Sequence, residues 1–578
     1  VFDEKGILNE YAGEFQGLER LEARDVIVKR LEEEGFMIKI EDHKHQVGHC
    51  YRCKNVVEPY ISKQWFVRKE VAVRSIEKTN VGEAKFFPPH WINSYNSWMG
   101  DLRDWCISRQ LWWGHQIPVF YCDECDHEFA SQEDHPASCP KCGSKHITQD
   151  PDVLDTWFSS ALWPFSTLGW GNGDVEMDKL FQSDDLKEFY PNTLLITGFD
   201  ILFFWVARMM MMGESFMGEL PFNHIYLHAL VRDEHGQKMS KSKGNVIDPL
   251  DMVNEFSADI LRFTLAISAA QGRDIRMSTQ KLEINRNFTN KLYNAAKFLQ
   301  MNVDTFPDLD GFCMDTPLGK YMVSRLNVAT KEVRTAMDEY KFNDAATVLY
   351  RFIWNEFCDW GIELSKADKA SIIELGAIFK EAMKLLHPFM PFITEHLYHQ
   401  LSGTSLETSD SIMIKKYPFK TKQRKEEETF AIIMDAIVSI RRAKVLVDMA
   451  NQKIEKAYVK VDGLSDEEKA MSLPFIAKLA KVDVVEFTNV KIENSVSDIS
   501  DKCETFIPTD SIDLTPIISK LEKQGEKLDK EIAKLSGMLS NERFIANAPE
   551  DVLAKNREAL AEAQEKKAKV TEQLNSLK

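Results

Sequence analysis

The most regular feature of the chain is a repeat of apolar residues near its C-terminal end. Successive positions are separated alternately by four and three residues, which is the spacing of a coiled-coil seam. Pro549 breaks the repeat, since proline cannot continue a helix. The positions are Leu514, Ile518, Leu521, Gly525, Leu528, Ile532, Leu535 and Leu539, then Leu553, Leu560, Ala563, Val570, Leu574 and Leu577. The pattern predicts an antiparallel coiled-coil hairpin over 513–578.

Helical periodicity also dominates the residues after position 280. The apolar stripes run through Phe288, Leu292, Ala295, Ala296 and Leu299, and later through Leu385, Leu386, Phe389, Phe392, Ile393 and Leu397. Pro388 and Pro391 interrupt the second stripe. We therefore predict a bundle of helices over 281–400. An amphipathic helix is also expected over 18–35.

Shorter apolar runs predict strands. The run 225–231 indicates a buried strand. Short strands alternate with helices over 151–280, as in one half of a doubly wound parallel sheet, where ligands bind beyond the carboxyl ends of the strands. The runs 457–461 and 482–487 follow a predicted helix and indicate a small α/β region over 401–512.

Length and charge indicate a multidomain protein that does not bind nucleic acids non-specifically. With 578 residues the chain is long enough for several cores. Its net charge of −18 disfavours non-specific nucleic-acid binding, which depends on many phosphate contacts. The predicted hairpin is nearly neutral, with 12 Lys or Arg against 11 Asp or Glu from position 516 onward. No apolar targeting or spanning run is visible, so a cytoplasmic protein without membrane contact is expected.

Four of the ten cysteines form two closely spaced pairs. Cys122 with Cys125, and Cys139 with Cys142, have the CxxC spacing that directs two thiolates at one ion. Four thiolates in a tetrahedral array make a closed structural Zn²⁺ site, and this is the predicted role. The alternative is a set of reduced surface cysteines.

A third pair, Cys50 and Cys53, supplies only half of a tetrahedral shell. No second unused pair remains in the chain. Whether these two thiols bind metal is left open.

A lysine-rich stretch offers chemistry for phosphate. Lys238 and Lys241 are three residues apart on a short loop that follows the predicted strand 225–231. Preorganised cations of this kind stabilise the charge that develops on phosphate oxygens in a transition state. The residues 245–249 then lead into a helix. The alternative is a solvated basic turn.

The pentapeptide Lys238-Met239-Ser240-Lys241-Ser242 resembles the second signature of class I aminoacyl-tRNA synthetases. The stretches 103–115, 155–160 and 196–205 resemble the valyl-tRNA synthetases, and the resemblance extends from about residue 15 to the C-terminus. The family's first signature, His-x-Gly-His, does not occur: Gln46-Val47-Gly48-His49 lacks the first His. The chain is therefore expected to be the C-terminal part of a longer enzyme and to be inactive alone.

The resemblance implies a valine–tRNA ligase that uses ATP with Mg²⁺, valine and tRNA(Val) and acts as a monomer. Lys238 and Lys241 would be catalytic. The other implied ATP contacts are Met239, Ser240, Ser242, Gly198, Leu230 and Val231. Asp200 would receive the substrate ammonium group, and Trp157 and Ile201 would form the walls of its pocket. Phe298 would contact an anticodon base, although helical spacing alone favours a core position for this residue.

The resemblance also implies the domain order. The expected domains are 1–54, the tail of an editing insertion; 55–150, a connective region with the zinc module; 151–280, the second half of the catalytic domain; 281–400, the anticodon-binding bundle; 401–512, a small α/β region; and 513–578, a tRNA-binding arm. An isoleucyl-tRNA synthetase and a non-catalytic tRNA-binding fragment are alternative functions. A dimerising coiled coil is the alternative for the arm.

Overall fold

The computed structural model of the chain describes residues 1–50, 53–171, 183–239, 244–418, 426–509, 515–540 and 550–577. The chain forms two compact units. The first comprises Val1–Lys85, His90–Leu195 and Ile201–His224, and the second comprises Phe86–Pro89, Ile196–Asp200 and Ile225–Lys578. Across the described ranges, no helix combines the length and the apolar character needed to cross a membrane.

The strands along the whole described chain are short, and so are most helices of its N-terminal half. The strands are β1 (Phe66–Val67), β2 (Lys85–Phe87), β3 (Trp105–Cys106), β4 (Ser108–Arg109), β5 (Val119–Cys122), β6 (Glu128–Ala130), β7 (Ile147–Gln149), β8 (Val153–Leu154), β9 (Asn192–Gly198), β10 (Phe222–His228), β11 (Val231–Arg232), β12 (Ile275–Arg276), β13 (Ile454–Lys460), β14 (Val482–Thr488), β15 (Ser495–Ile499) and β16 (Glu504–Pro508). The first helices are α1 (Arg20–Glu33), α2 (Val73–Asn80), α3 (Trp91–Gly100), α4 (Thr156–Ala161), α5 (Trp163–Ser166), α6 (Asp184–Phe189) and α7 (Ala207–Met217).

The remaining described helices begin at residue 249 and include the longest ones. They are α8 (Pro249–Glu255), α9 (Ala258–Ser268), α10 (Thr279–Gln300), α11 (Pro317–Asp338), α12 (Phe342–Tyr350), α13 (Ile362–Ser365), α14 (Ile372–Leu386), α15 (Pro391–Ser402), α16 (Glu426–Leu446), α17 (Asp466–Ala480), α18 (Thr515–Leu539) and α19 (Glu550–Leu577). In the part of the chain that the structure describes, π-helices at Leu202–Val206 and Arg351–Gly361 interrupt the α-helical runs.

In the first unit, small sheets and helices are held together by paired side chains. The strands form the pairs β1–β3 and β4–β8, and a three-stranded sheet in the order β6-β5-β7. The carboxylate of Glu214 on α7 is buried and forms ion pairs with Arg74 at 3.1 Å and Lys78 at 2.8 Å, both on α2.

The helix expected over 18–35 is confirmed as α1, but its apolar stripe is not buried, since Leu21 and Leu31 are 42% and 37% exposed.

The strand expected over 225–231 is confirmed as β10, which ends three residues earlier, at His228. It lies between its neighbours in a sheet of order β2-β10-β9, and Ile225, Tyr226 and Leu227 are buried. The strand β11 continues the chain and pairs in parallel with β12.

The helical bundle of the second unit has one large apolar core. The break expected at Pro388 and Pro391 is confirmed, because α14 ends at Leu386 and α15 begins at Pro391. Phe392 departs from the expected stripe, since it lies in the first turn of α15 and is 67% exposed. The buried carboxylate of Asp259 on α9 accepts the N–H groups of Phe392 and Ile393 at 3.2 and 2.6 Å, which satisfies two donors at the start of α15.

The α/β region expected over 401–512 contains a four-stranded sheet in the order β14-β13-β16-β15. The expected helix is α16 and the expected strands are β13 and β14, which pair in parallel. The guanidinium group of Arg441 donates to the carbonyl oxygen of Leu479 near the C-terminus of α17, at 2.8 Å from Nη2. Helix α17 and strands β15 and β16 were not anticipated from the sequence.

A glycine of the bundle allows an unusually close contact. A Cβ atom at Gly376 on α14 would lie 1.8 Å from Cδ1 of Phe306, so no other residue is accommodated unless that ring moves. Gly537 on α18 is the opposite case, because nothing lies within 4 Å of the corresponding position.

We predict that Gly376→Ala destabilises the bundle by about 1–3 kcal/mol through overpacking. Gly537→Ala, the matched control, should be neutral or stabilising by up to about 1 kcal/mol, since alanine is the better helix former. Calorimetric melting of the two variants compares them directly. Equal melting temperatures for Gly376→Ala and the parent protein would contradict the packing argument.

Candidate functional site

The chain that leaves β10 is fixed by one acidic side chain. Oδ1 of Asp274 accepts the backbone N–H of Leu230 at 3.1 Å, and Oδ2 pairs with the guanidinium group of Arg232. Burial alone would raise the pKa of Asp274, but the Arg232 guanidinium and the Leu230 N–H outweigh it and lower the pKa. Leu230 and Val231 therefore have a defined backbone path just beyond the end of the strand.

The turn before Lys238 is fixed by a second acidic side chain. Oδ1 of Asp233 accepts the N–H of Gln237 at 2.7 Å, and Oδ2 accepts Nδ2–H of Asn245 at 2.9 Å. The pKa of Asp233 is lowered, first by the Asn245 amide and then by the Gln237 N–H. Nδ2 of Asn245 also lies 3.4 Å from the carbonyl oxygen of Lys238, so Asp233 and Asn245 hold the two sides of the lysine-rich loop together.

Of that loop, the structure describes the first two residues of the pentapeptide. Lys238 is exposed and Met239 is half-buried, and a bridge joins Lys238 to Arg232. Ser240, Lys241 and Ser242 lie outside the described residues.

Gly198, at the end of β9, lies close to Asp200 and Leu230. A Cβ atom at Gly198 would be 2.7 Å from Oδ1 of Asp200 and 3.6 Å from Cδ2 of Leu230. A side chain at position 198 would therefore require the Asp200 carboxylate to move. Asp200 itself is exposed in a short 3₁₀ turn, where its carboxylate is accessible to a ligand.

An apolar cavity of about 470 Å³ lies beside the same strand end in the second unit. Leu230 and Val231 form part of its wall. Leu265 and Ala266 of α9 and Phe342 of α12 also line it.

The two residues expected to form walls of an amino-acid pocket belong to the first unit. Trp157 on α4 and Ile201 are both half-buried. The Trp157 ring stacks on Phe204, with ring centroids 6.0 Å apart and an interplanar angle of 28°.

The four predicted cysteine ligands come together in the first unit. Their sulfur atoms all lie within 4.8 Å of one another, with Cys122 Sγ 3.5 Å from Cys142 Sγ and Cys125 Sγ 3.7 Å from Cys139 Sγ. Tetrahedral zinc with Zn–S bonds of about 2.3 Å places its sulfur ligands about 3.8 Å apart. These two distances are close to that value, so the four sulfurs fit a tetrahedral ion of this size.

The backbone around these cysteines favours thiolates. Burial opposes ionisation of Cys139, but the N–H groups of Cys142 and Lys141 and the neighbouring thiols lower its pKa to about 7. Burial and the neighbouring thiols raise the pKa of Cys125 to about 12. The N–H groups around Cys139 therefore favour its thiolate, the form that binds metal.

Cys50 accepts a backbone hydrogen bond of a kind also seen in the four-cysteine cluster. The N–H of Lys54 donates to the carbonyl oxygen of Cys50 at 2.8 Å, and the same bond four residues apart occurs at Cys122 and Cys139. Lys54 has a φ of 64°, which closes the turn. Cys53 is exposed. A metal at this pair would need two further ligands.

Phe298 on α10 is half-buried and packs against the core of the bundle. Part of this side chain is therefore accessible to solvent. Its expected contact with a nucleic-acid base stays a prediction.

Helices α18 and α19 pack along each other. Leu521, Leu528, Ala563 and Val570, all positions of the expected seam, are buried. Gly525 is the one seam position without a side chain on α18. The space beside it is occupied by Lys567, since a Cβ atom at Gly525 would lie 3.1 Å from Nζ of that lysine.

The ammonium group of Lys567 pairs with Asp529 at 2.6 Å, while Cγ1 of Val570, further along α19, lies 3.9 Å from the Cβ position of Gly525, earlier on α18. The two helices therefore run antiparallel along this stretch. The expected turn around Pro549 lies outside the described residues.

Comparison with known proteins gives three consecutive family matches. Residues 21–278 match the class I tRNA synthetases for isoleucine, leucine, methionine and valine. Residues 319–459 match the anticodon-binding domain of tRNA ligases, and residues 513–578 match the valyl tRNA synthetase tRNA binding arm. The chain belongs to the valyl-tRNA synthetase family. The alternative family, the isoleucyl-tRNA synthetases, is therefore wrong.

Relatives from several bacteria match the whole chain. Valine–tRNA ligases of Nitratiruptor sp. and Wolinella succinogenes are 65% and 62% identical over all of it, and that of Thermotoga maritima is 42% identical. The chain spans 66%, 64% and 66% of the lengths of these relatives. Among solved structures, Mycobacterium tuberculosis methionyl-tRNA synthetase bound by methionyl-adenylate aligns with a TM-score of 0.48 at 18% identity, covering 65% of this chain and 70% of that one.

Sequence reasoning missed the residues that support the site. Asp233, Asn245 and Asp274 were not singled out, although the sequence Asp233-Glu-His-Gly236 is a recognisable turn signal. Asp274 gave no local signal, because its partner Leu230 lies 44 residues earlier in the chain.

We predict that Asp233→Ala loosens both sides of the lysine-rich loop. Losing these hydrogen bonds should speed amide exchange about two- to tenfold at 234–239 and 244–247, since each bond contributes about 0.5–1.5 kcal/mol. Hydrogen–deuterium exchange measured by mass spectrometry reports this. Asp251→Ala, at an exposed acid of α8, is the control. Unchanged exchange in Asp233→Ala would show that other contacts hold the loop.

Proposed function

We propose that, in a protein of full family length, this chain carries the part of a valine–tRNA ligase that binds the triphosphate of ATP and the tRNA. The observation that carries the proposal is the convergence at the ends of β9 and β10. Gly198, Asp200 and Leu230 approach one another there, and the Asp233 turn leads directly to Lys238. This is the edge at which parallel α/β folds bind their ligands.

The proposed roles follow from the chemistry of each group. The exposed ammonium group of Lys238, with that of Lys241, would stabilise charge on the phosphate oxygens as pyrophosphate leaves. Leu230 and Val231 line an apolar cavity whose volume suffices for a purine, which supports a contact with adenine. Met239, Ser240 and Ser242 would complete this contact, and Mg²⁺ would accompany the nucleotide.

Asp200 and Trp157 are proposed to select the amino acid. The exposed carboxylate of Asp200 would bind the ammonium group of valine as a charge-assisted pair. Trp157 and Ile201 would limit the size of the side chain, a discrimination worth about 1–3 kcal/mol per methylene. Attack of the valine carboxylate on ATP needs positioning and phosphate stabilisation more than a protein base.

The remaining proposed parts bind RNA or metal. The bundle would read the anticodon, with Phe298 stacking on a base, a contact worth about 1–3 kcal/mol. Helices α18 and α19 would contact tRNA as a coiled-coil arm, since their apolar residues are used between the two helices. The four-cysteine cluster would hold one structural Zn²⁺. We expect the enzyme to be monomeric and cytoplasmic.

We predict that the two lysines and Asp200 affect different kinetic parameters. In a protein of full family length, Lys238→Ala and Lys241→Ala should each slow valine-dependent ATP–pyrophosphate exchange by about 10²-fold, with little change in the KM for valine. Asp200→Ala should instead raise the KM for valine by about 10- to 100-fold, the equivalent of a lost charged hydrogen bond. Lys187→Ala, at an exposed lysine of α6, is the control.

If all three variants changed only the KM for valine, the assignment of the lysines to phosphate would be wrong. Exchange that depends on no amino acid in the parent protein would reject the proposed activity altogether.

We predict one zinc per chain, bound by Cys122, Cys125, Cys139 and Cys142. Metal analysis of the purified protein should give a ratio near one, and Cys139→Ser should lower it and destabilise the first unit, because three sulfurs no longer close the shell. Cys313→Ser, at an exposed cysteine elsewhere, should change neither. Zinc retained in full by Cys139→Ser, or absent from the parent protein, would contradict the assignment.

A further inference from the structure

Helix α4, which carries Trp157, is held at both ends by side chains from other elements. At its N-terminus, Asp155 is buried, and its Oδ2 accepts Nε1–H of Trp105 at 3.1 Å and pairs with Arg109 at 3.0 Å. The Asp155 carboxylate makes no capping bond to α4, so these two donors fix its orientation. The start of the helix therefore depends on Trp105 and Arg109.

Trp105 is itself held in place. The Arg208 guanidinium lies over the Trp105 ring, 3.9 Å from its centroid, and 5.2 Å from the centroid of Trp98. A cation between two aromatic rings is attracted to both, and burial strengthens that attraction. Arg208 thus connects α7 to the start of α4 through Trp105.

The C-terminal end of α4 is held by the π-helix Leu202–Val206. Nε1–H of Trp205 donates to the carbonyl oxygen of Ser160 at 3.1 Å, in the last turn of α4, where the N–H of Leu162 also donates to this oxygen. On the same π-helix, Phe204 stacks directly on Trp157. Short π-helical segments occur frequently at functional sites, and here the segment directs two consecutive aromatic residues at one helix.

We propose that Asp155 and Trp205 are positioning residues for amino-acid selection: they fix α4 at its two ends and so hold the Trp157 wall at the width that admits valine. This rests on the proposed function, in which Trp157 lines the amino-acid pocket. A wall held from one end only yields to a larger side chain. The effect is specific, because the chemistry at phosphate involves neither residue.

The test compares valine and isoleucine, which differ by one methylene, in a protein of full family length. Trp205→Phe keeps an aromatic ring and removes Nε1–H, and Asp155→Asn keeps the size of the side chain and removes its charge. Each should lower the ratio of kcat/KM for valine to that for isoleucine by about two- to tenfold, the effect of a lost hydrogen bond. The kcat for valine should stay within about twofold of the parent value.

Two further variants make the result decisive. Phe204→Leu removes the stacking partner of Trp157 at a residue that is 52% exposed, so folding is preserved, and it should lower the same ratio. Trp113→Phe, at a tryptophan that is 93% exposed, should leave the ratio unchanged.

An unchanged ratio in Trp205→Phe and Phe204→Leu, with the parent protein active on valine, would overturn the positioning role and leave the proposed function standing. An equal loss for both amino acids would also overturn it, because it would indicate a general structural role. A parent protein that activates neither amino acid would instead reject the proposed function.

Discussion

The end of a strand leaves backbone groups that need partners, and the site depends on how this chain supplies them after β10. Beyond His228, the N–H of Leu230 has no strand to pair with, and the carboxylate of Asp274 accepts it. The same carboxylate pairs with Arg232, and β11 then pairs with β12. The path from the buried strand to Lys238 is thus set by one acidic residue, and an Asp233 turn completes it. Without these contacts the lysine would have no defined position relative to Gly198 and Asp200.

This arrangement suits a reaction that needs positioning more than covalent catalysis. An ammonium group stabilises phosphate charge effectively only if its location is fixed before the charge develops. The two acidic residues fix the backbone while the lysine side chain stays exposed. Helix α4, which carries Trp157, follows the same rule, since Asp155 accepts from Trp105 at its start and Trp205 donates to Ser160 near its end. In both places a polar group remote from the proposed chemistry fixes the backbone that carries a proposed site residue.

Much of the architecture was predictable because it is encoded locally. The buried strand, the helix break at Pro388 and Pro391, and the two CxxC pairs each follow from residues within a few positions of one another. Burial was less predictable. The stripe of α1 stays exposed and Phe392 faces outward, because burial depends on which distant segments pack against a helix. The hydrogen bond between Leu230 and Asp274 joins residues 44 positions apart, and the one between Trp205 and Ser160 joins residues 45 positions apart. Periodicity along the chain carries no information about such pairs.

The central claim is that the site at the ends of β9 and β10 joins valine to tRNA. The most direct test supplies a protein of full family length with ATP, Mg²⁺, bacterial tRNA and all twenty amino acids together. Ribonuclease then releases the aminoacyl-adenosine from the tRNA terminus for identification by mass spectrometry. The account predicts valyl-adenosine as the dominant product. Isoleucyl-adenosine as the dominant product, or tRNA that is bound but never esterified, would contradict it.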